Sequence, residues 1–190
     1  NWGWEITRLG VNYQGRVNPQ ELKALLQDNT VLVSVIYGQS EVGTVQPIAE
    51  LSKITKMHGA LFHTDAVQVA GRLPIDVRSL SVDLLSISSH KLYGGLGAGA
   101  LYVGPGVKLK PLLAGGGQEA GLRSGTQATP AIAGFGVAAE LAARELETER
   151  VRLVELRDRL FAILADIPSL IPTGDRIKDR KSTRLNSSHE

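Results

Sequence analysis

The chain has 190 residues, 43% of them hydrophobic, and a formal net charge of +2. That is enough apolar material for one sizeable core, and it leaves no electrostatic footprint of a nucleic-acid or membrane-surface binder. There is no cysteine, which excludes disulfides, zinc–thiolate sites and a cysteine nucleophile within the chain. No apolar run approaches the roughly 18 residues of a membrane span, and no signal peptide opens the sequence. A soluble, cytoplasmic protein is therefore expected, and because the first residue is Asn1 rather than Met, a fragment of a longer one.

Trp4 to Leu9 alternates like a short strand. Asn18 then suits a helix N-cap, Pro19 the first helical position, and Glu21 the third, from which its carboxylate can reach back to the cap amide. This helix is expected to run to about Asp28. Val31 to Tyr37 is nearly continuous and β-branched, the pattern of a strand covered on both faces. Gly38 to Gly43 forms a polar loop, Pro47 opens a second helix from Ile48 to about His58, and Gly59 is its C-cap. Ala60 to Thr64 reads as a strand delivering Asp65, and Asp83 to Ser88 as one delivering His90 and Lys91.

Strands and helices alternating with short connections predict an α/β fold, a mainly parallel sheet with flanking helices, whose ligands bind beyond the carboxyl ends of the strands. Ser40, Asp65, Gln68, Ser88, His90 and Lys91 all fall there. Gly115 to Thr126 is a glycine-rich polar loop, and Pro130 to about Ile167 reads as helical. Leu153, Leu156, Leu160 and Ile163 form an apolar stripe on that helix, and Pro168 and Pro172 end it.

Three interpretations of Lys91 stay open on the residues alone. It is an ordinary surface lysine; or it flanks a phosphate-cradling loop at Gly95 to Gly99; or it is a Schiff-base lysine with a phosphate anchor beside it. The glycine loop lacks the Rossmann spacing and is followed by Ala100 to Val103, which looks like a strand rather than a helix. For the third, Ser88, Ser89 and His90 supply hydroxyls and an imidazole, and Asp65 supplies a carboxylate able to hold a protonated ring nitrogen.

Taken together, His63-Thr-Asp-Ala-Val-Gln68, Ser88-Ser-His-Lys-Leu-Tyr-Gly94 and Gly115-Gly-Gly-Gln-Glu-Ala-Gly-Leu-Arg-Ser-Gly-Thr126 resemble the cysteine desulfurases of the NifS/IscS type. These are pyridoxal-phosphate enzymes of fold type I within the class V aminotransferase group. The resemblance runs from about Asn1 to Gly174. It implies that Lys91 carries the cofactor and moves the substrate α-proton, Asp65 pairs with the pyridinium nitrogen and Gln68 bonds the ring oxygen. Ser88 and His90 would anchor the phosphate, and Thr126 would reach the cofactor of a second subunit in a homodimer. Arg123 receives no role, and no metal is implied.

The implied reaction converts L-cysteine to L-alanine and passes sulfur, as a persulfide on an enzyme cysteine, toward Fe–S cluster assembly or RNA thiolation. Ser40 stands where many relatives have asparagine, a change that still leaves a hydrogen-bonding group. The family's sulfur-accepting cysteine is absent, so no turnover by this chain alone is expected. Residues 1–145 are expected to form part of the cofactor-binding large domain, and 146–178 a long helix leading toward a small C-terminal domain. Residues 179–190 resemble a translated sequencing adapter. The alternatives are another class V enzyme, such as a selenocysteine lyase or aminotransferase, a nucleotide-binding oxidoreductase module, and a fragment with no stable fold.

Overall fold

The computed structural model describes residues 3–167, 170, 173 and 174; Pro168, Pro172 and the adapter-like stretch 179–190 lie outside the described residues. Its elements in chain order are α1 (Pro19–Leu25), β1 (Leu32–Ile36), α2 (Ile48–His58), β2 (Leu61–Asp65), α3 (Val77–Leu80), β3 (Leu84–Ser88), β4 (Gly99–Val103) and α4 (Thr129–Leu164). A 3₁₀ turn, Ser89–Leu92, follows β3 directly. The strands form one sheet in the order β1-β2-β3-β4. β1, β2 and β3 run parallel, and β4 returns antiparallel along β3. The expected mainly parallel α/β sheet is thus present.

Alternation along each strand sorts the sheet into two chemically different faces. One presents Val33, Val35, Phe62, Leu85 and Tyr102, which pack with Leu22 of α1 and Ile48 and Leu51 of α2 into the main core. Phe62 and Leu51 have no solvent exposure. The register partners Ser34↔His63 and Asp65↔Ser86 occupy the opposite face, with Ser88 beyond them. That face leaves Leu32 and Leu101 each 47% exposed. A second, smaller core joins Ala70 and Leu92 to Phe135 and Ala138 of α4, and so ties the long helix to the turn that carries Lys91.

Local chemistry accounts for the element boundaries. Asn18 caps α1 by accepting from the Gln20 amide at 2.9 Å, and Gly59 ends α2 in the left-handed conformation (φ 91°) that glycine adopts without strain. α1 stops at Leu25 because Leu26 is already extended, three residues before the expected end. Glu21 does not reach back to the cap; its Oε1 accepts instead from the Gly10 amide at 3.2 Å.

A further sequence expectation is corrected. Residues 4–9 are not a strand: Trp4 and Ile6 are 63% and 76% exposed. The segment lines one wall of an open groove of about 520 Å³ whose other wall is the outer edge of β1. Its alternation is real, but within the described residues no strand lies close enough to pair with it. On the α4 stripe, Leu156 and Ile163 are 42% and 65% exposed, while Arg157, at 3%, is the buried residue of that half of the helix. Periodicity shows that a helix has an apolar face, not that a neighbour covers it. α4 runs unbroken from Thr129 to Leu164.

Candidate functional site

Each residue of the expected site except Thr126 sits at or a few residues past the carboxyl end of a parallel strand. Asp65 is the last residue of β2, paired with Ile36 of β1 and Ser86 of β3. Its backbone carbonyl accepts from the Tyr37 amide at 2.8 Å, and the Ser86 carbonyl accepts from Ala66 at 2.9 Å, so the sheet ladder is intact on both sides of it. Asp65 Oδ1 accepts from the Val67 amide at 2.9 Å. This closes a turn rather than capping a helix, because 67–72 is a series of turns. Asp65 Oδ2 has no hydrogen-bond partner among the described residues.

Gln68 lies half-buried in those turns, and Ser40 half-buried in the loop after β1. The two loops are drawn together at Gly38, where a Cβ would run into the Val69 side chain. Here only glycine permits the approach. The Gln39 side chain shapes the Ser40 loop, its Oε1 accepting from the amides of Glu41 and Val42 at 2.5 and 2.7 Å.

The 3₁₀ turn places the remaining groups. Ser88 Oγ and His90 Nδ1 lie 2.8 Å apart, so hydroxyl and imidazole form one polar pair at the mouth of β3. Ser89 points the other way: it is fully buried, and its Oγ has no hydrogen-bond partner among the described residues. Of the three polar residues preceding Lys91, then, two face outward and one packs inward. Leu92, the residue after Lys91, is held in the second core. Tyr93 closes the turn with φ 63°, a left-handed conformation unusual for a bulky side chain. Such a position costs on the order of 1–2 kcal/mol, which the surrounding packing must offset.

Lys91 lines a small pocket of about 180 Å³ together with Arg72, Tyr93, Glu145 and Glu149. Arg72 donates to the Tyr93 hydroxyl and lies 5.0 Å from its ring centroid, a cation–π contact that builds one wall of this pocket. The structure brings Ser88, His90 and Lys91 together on the turn that follows β3, the sheet neighbour of the β2 strand ending at Asp65, while the pocket that Lys91 lines includes none of Asp65, Gln68, Ser40, Ser88 or His90. Thr126 is exposed on the Gly115–Thr126 loop and makes no hydrogen bond to a described residue. That loop has its own internal order: Gln118 Oε1 accepts from Gly125 at 3.0 Å, and the Ser124 amide donates to Leu113 O at 3.1 Å. Gly95 to Gly99 leads straight into β4 with no helix following, which removes the structural basis of a dinucleotide loop.

One set of residues escapes an inspection of motifs alone. His63 lies one pair behind Asp65 on the same face; its Nδ1 is 2.8 Å from Ser34 Oγ and its Nε2 is 2.9 Å from Ser86 Oγ. Burial pushes the imidazole below its ordinary pKa, with the Asp65 charge opposing. The neutral ring is the form suited to lie between two hydroxyls. The sequence signal was the i, i+2 spacing that puts Ser34, His63 and Ser86 behind the strand ends; their mutual contact depends on register, which spacing does not supply.

Among the described residues no helix is long and apolar enough to cross a membrane, and no group of His, Cys, Asp and Glu is placed to hold a metal ion.

Comparison with known proteins places this geometry in context. The cysteine desulfurase IscS of Methanosarcina thermophila is 48% identical over 166 residues, covering 87% of this chain and 41% of the relative. That of Anaeromyxobacter sp. (strain Fw109-5) is 51% identical over 188 residues, covering 98% and 46%. The chain thus spans less than half the length of these curated relatives. Among solved structures, a NifS-like protein superposes with a TM-score of 0.88 at 38% identity, over 96% of this chain and 49% of that one. A structure described as SspA in complex with cysteine does so with a TM-score of 0.71 at 44% identity, over 73% and 40%. Residues 1–189 match the family described as aminotransferase class-V, and the chain belongs to that family.

Proposed function

We propose that this chain is the cofactor-holding part of a pyridoxal-phosphate-dependent cysteine desulfurase. The observation that supports the proposal is that Asp65 ends β2 while the Ser88–His90 pair and Lys91 follow at the same, carboxyl, end of the adjacent parallel strand β3. Three features suit the cofactor. Asp65 has one carboxylate oxygen committed to the chain and one without a hydrogen-bond partner among the described residues, fit for a protonated pyridine nitrogen. Ser88 and His90 offer an outward hydroxyl and imidazole, fit for a phosphate. Lys91 adds a primary amine on the same rigid turn, fit for an aldehyde. The bound cofactor would supply an electron sink for the carbanion formed at the substrate Cα.

The remaining roles belong to the chain itself. Lys91 Nζ takes the proton from Cα of L-cysteine and returns one when alanine is formed. Asp65 keeps the ring nitrogen protonated by holding a negative charge against it. Gln68 and Ser40, from neighbouring loops, would hydrogen-bond the ring oxygen. Because the chain has no cysteine, the thiolate that accepts sulfur comes from outside it: the Cβ–S bond breaks, an S–S bond forms, and alanine departs. Thr126, exposed at the end of an ordered loop, is assigned to the cofactor phosphate of a second subunit, so the working form is a homodimer.

Incubation of the purified chain with pyridoxal phosphate tests this. A saturable visible absorption band that disappears in Lys91→Ala is expected. A folded wild-type chain giving no band would overturn the proposal.

A further inference from the structure

We propose that Ser34, His63 and Ser86 form a positioning row that keeps the outer carboxylate oxygen of Asp65 free for a protonated ring nitrogen. The inference rests on the cofactor assignment made above and adds a role for residues that do not touch the cofactor.

The geometry poses a competition. Ser86 is the register partner of Asp65 on the neighbouring strand, and paired residues on adjacent strands have backbones only about 5 Å apart. Both side chains stand on the same face of the sheet. A serine hydroxyl carries one proton, and a carboxylate is the stronger acceptor for it. Left alone, Ser86 would donate to Asp65 and occupy the oxygen that the ring nitrogen needs.

The structure shows the hydroxyl engaged elsewhere. Ser86 Oγ is 2.9 Å from His63 Nε2, and Asp65 Oδ2 has no hydrogen-bond partner among the described residues. For Ser86 to use its proton in this arrangement, Nε2 must be the bare nitrogen. The ring proton then sits on Nδ1 and is donated to Ser34 Oγ, 2.8 Å away. Ser34 fixes the tautomer, His63 withdraws the Ser86 proton, and Asp65 Oδ2 stays open. Because His63 registers with Leu84 rather than Ser86, its ring leans forward along the sheet to make this contact.

Two measurements test the row. In the first, nitrogen-15 NMR of the cofactor-free chain reads the His63 tautomer at pH above 7. Proton on Nδ1 with Nε2 bare is expected; proton on Nε2 would overturn the proposal, since Ser86 would then be free to donate to Asp65. In the second, pyridoxal phosphate affinity is compared across variants by absorbance titration. His63→Leu is expected to weaken binding roughly tenfold, the weight of one hydrogen bond to a charged group. His63→Leu combined with Ser86→Ala, which removes the competing hydroxyl, is expected to return to within about twofold of wild type. His63→Gln, which keeps an acceptor near the Nε2 position, is expected to lie close to wild type.

A double variant no better than His63→Leu alone would mean a purely structural role and would overturn the row. Asp65→Ala separates the two ideas. If it binds the cofactor as wild type does, the assignment of Asp65 to the ring nitrogen fails, while the tautomer still decides whether His63 holds the Ser86 proton.

Discussion

Replacing Ser89 by alanine should stabilise the protein. Among the described residues, Ser89 Oγ is the one buried side-chain polar atom without a hydrogen-bond partner, and the residue has no solvent exposure. A buried hydroxyl left unsatisfied costs about 1–3 kcal/mol. Removing it forfeits a few dispersion contacts at about 0.1–0.2 kcal/mol each and leaves a gap smaller than a methyl group. The net gain is about 1 kcal/mol, which for a domain of this size raises Tm by roughly 2–4 °C. Thermal unfolding followed by circular dichroism measures it. Because the hydroxyl points away from the site, cofactor binding should be unchanged, whereas Ser88→Ala, one residue earlier, should weaken it several-fold. A loss of more than about 1 kcal/mol in Ser89→Ala would show that the hydroxyl has a partner in solution and would refute the reasoning.

Three further outcomes are expected. Gly94→Ala should cost about 1–3 kcal/mol by overpacking, because a Cβ there meets Ser89 Oγ and lies 3.1 Å from Ala138 Cβ; denaturant titration reads this, and combining it with Ser89→Ala should recover part of the loss. Gly59→Ala should cost about 1 kcal/mol from backbone conformation alone, since a Cβ at that position meets nothing within 4 Å while φ is +91°. The third outcome concerns pH. His63 has a depressed pKa in the fold, caused first by burial, so the unfolded chain binds its proton more readily. The stability due to the neutral ring is full above the ordinary histidine value near about 6.5 and is lost as pH falls through that value toward the lower folded one. Melting curves between about pH 7 and 5 should show a decline that His63→Gln flattens.

Much of the site was legible because strand ends carry their own signals. An apolar β-branched run followed at once by polar residues marks where a parallel strand leaves the sheet, and Asp65, Ser88 and Lys91 all stand at such a boundary. Asn18 and Gly59 announced their helix ends through backbone chemistry that acts within a few residues. What failed to show depends on distant parts of the chain. Glu21 turned to Gly10 rather than to its own cap, and nothing local distinguishes those two amides. The contact of His63 with Ser34 and Ser86 requires the register of three strands at once. Residues 4–9 alternate as strands do, yet a strand exists only where a neighbour accepts its hydrogen bonds. The four-residue helix α3, capped by Asp76, is too short to leave a period in the sequence.

The central claim is that Lys91 is the cofactor's amine on an edge built by β1, β2 and β3. Its most direct test is to add one equivalent of pyridoxal phosphate to the chain, fix the linkage with borohydride and map the label by peptide mass spectrometry. The label is predicted on the peptide containing Lys91 and should be lost from it in Asp65→Ala. A label spread evenly over exposed lysines such as Lys108 and Lys110, with none preferring Lys91, would contradict it.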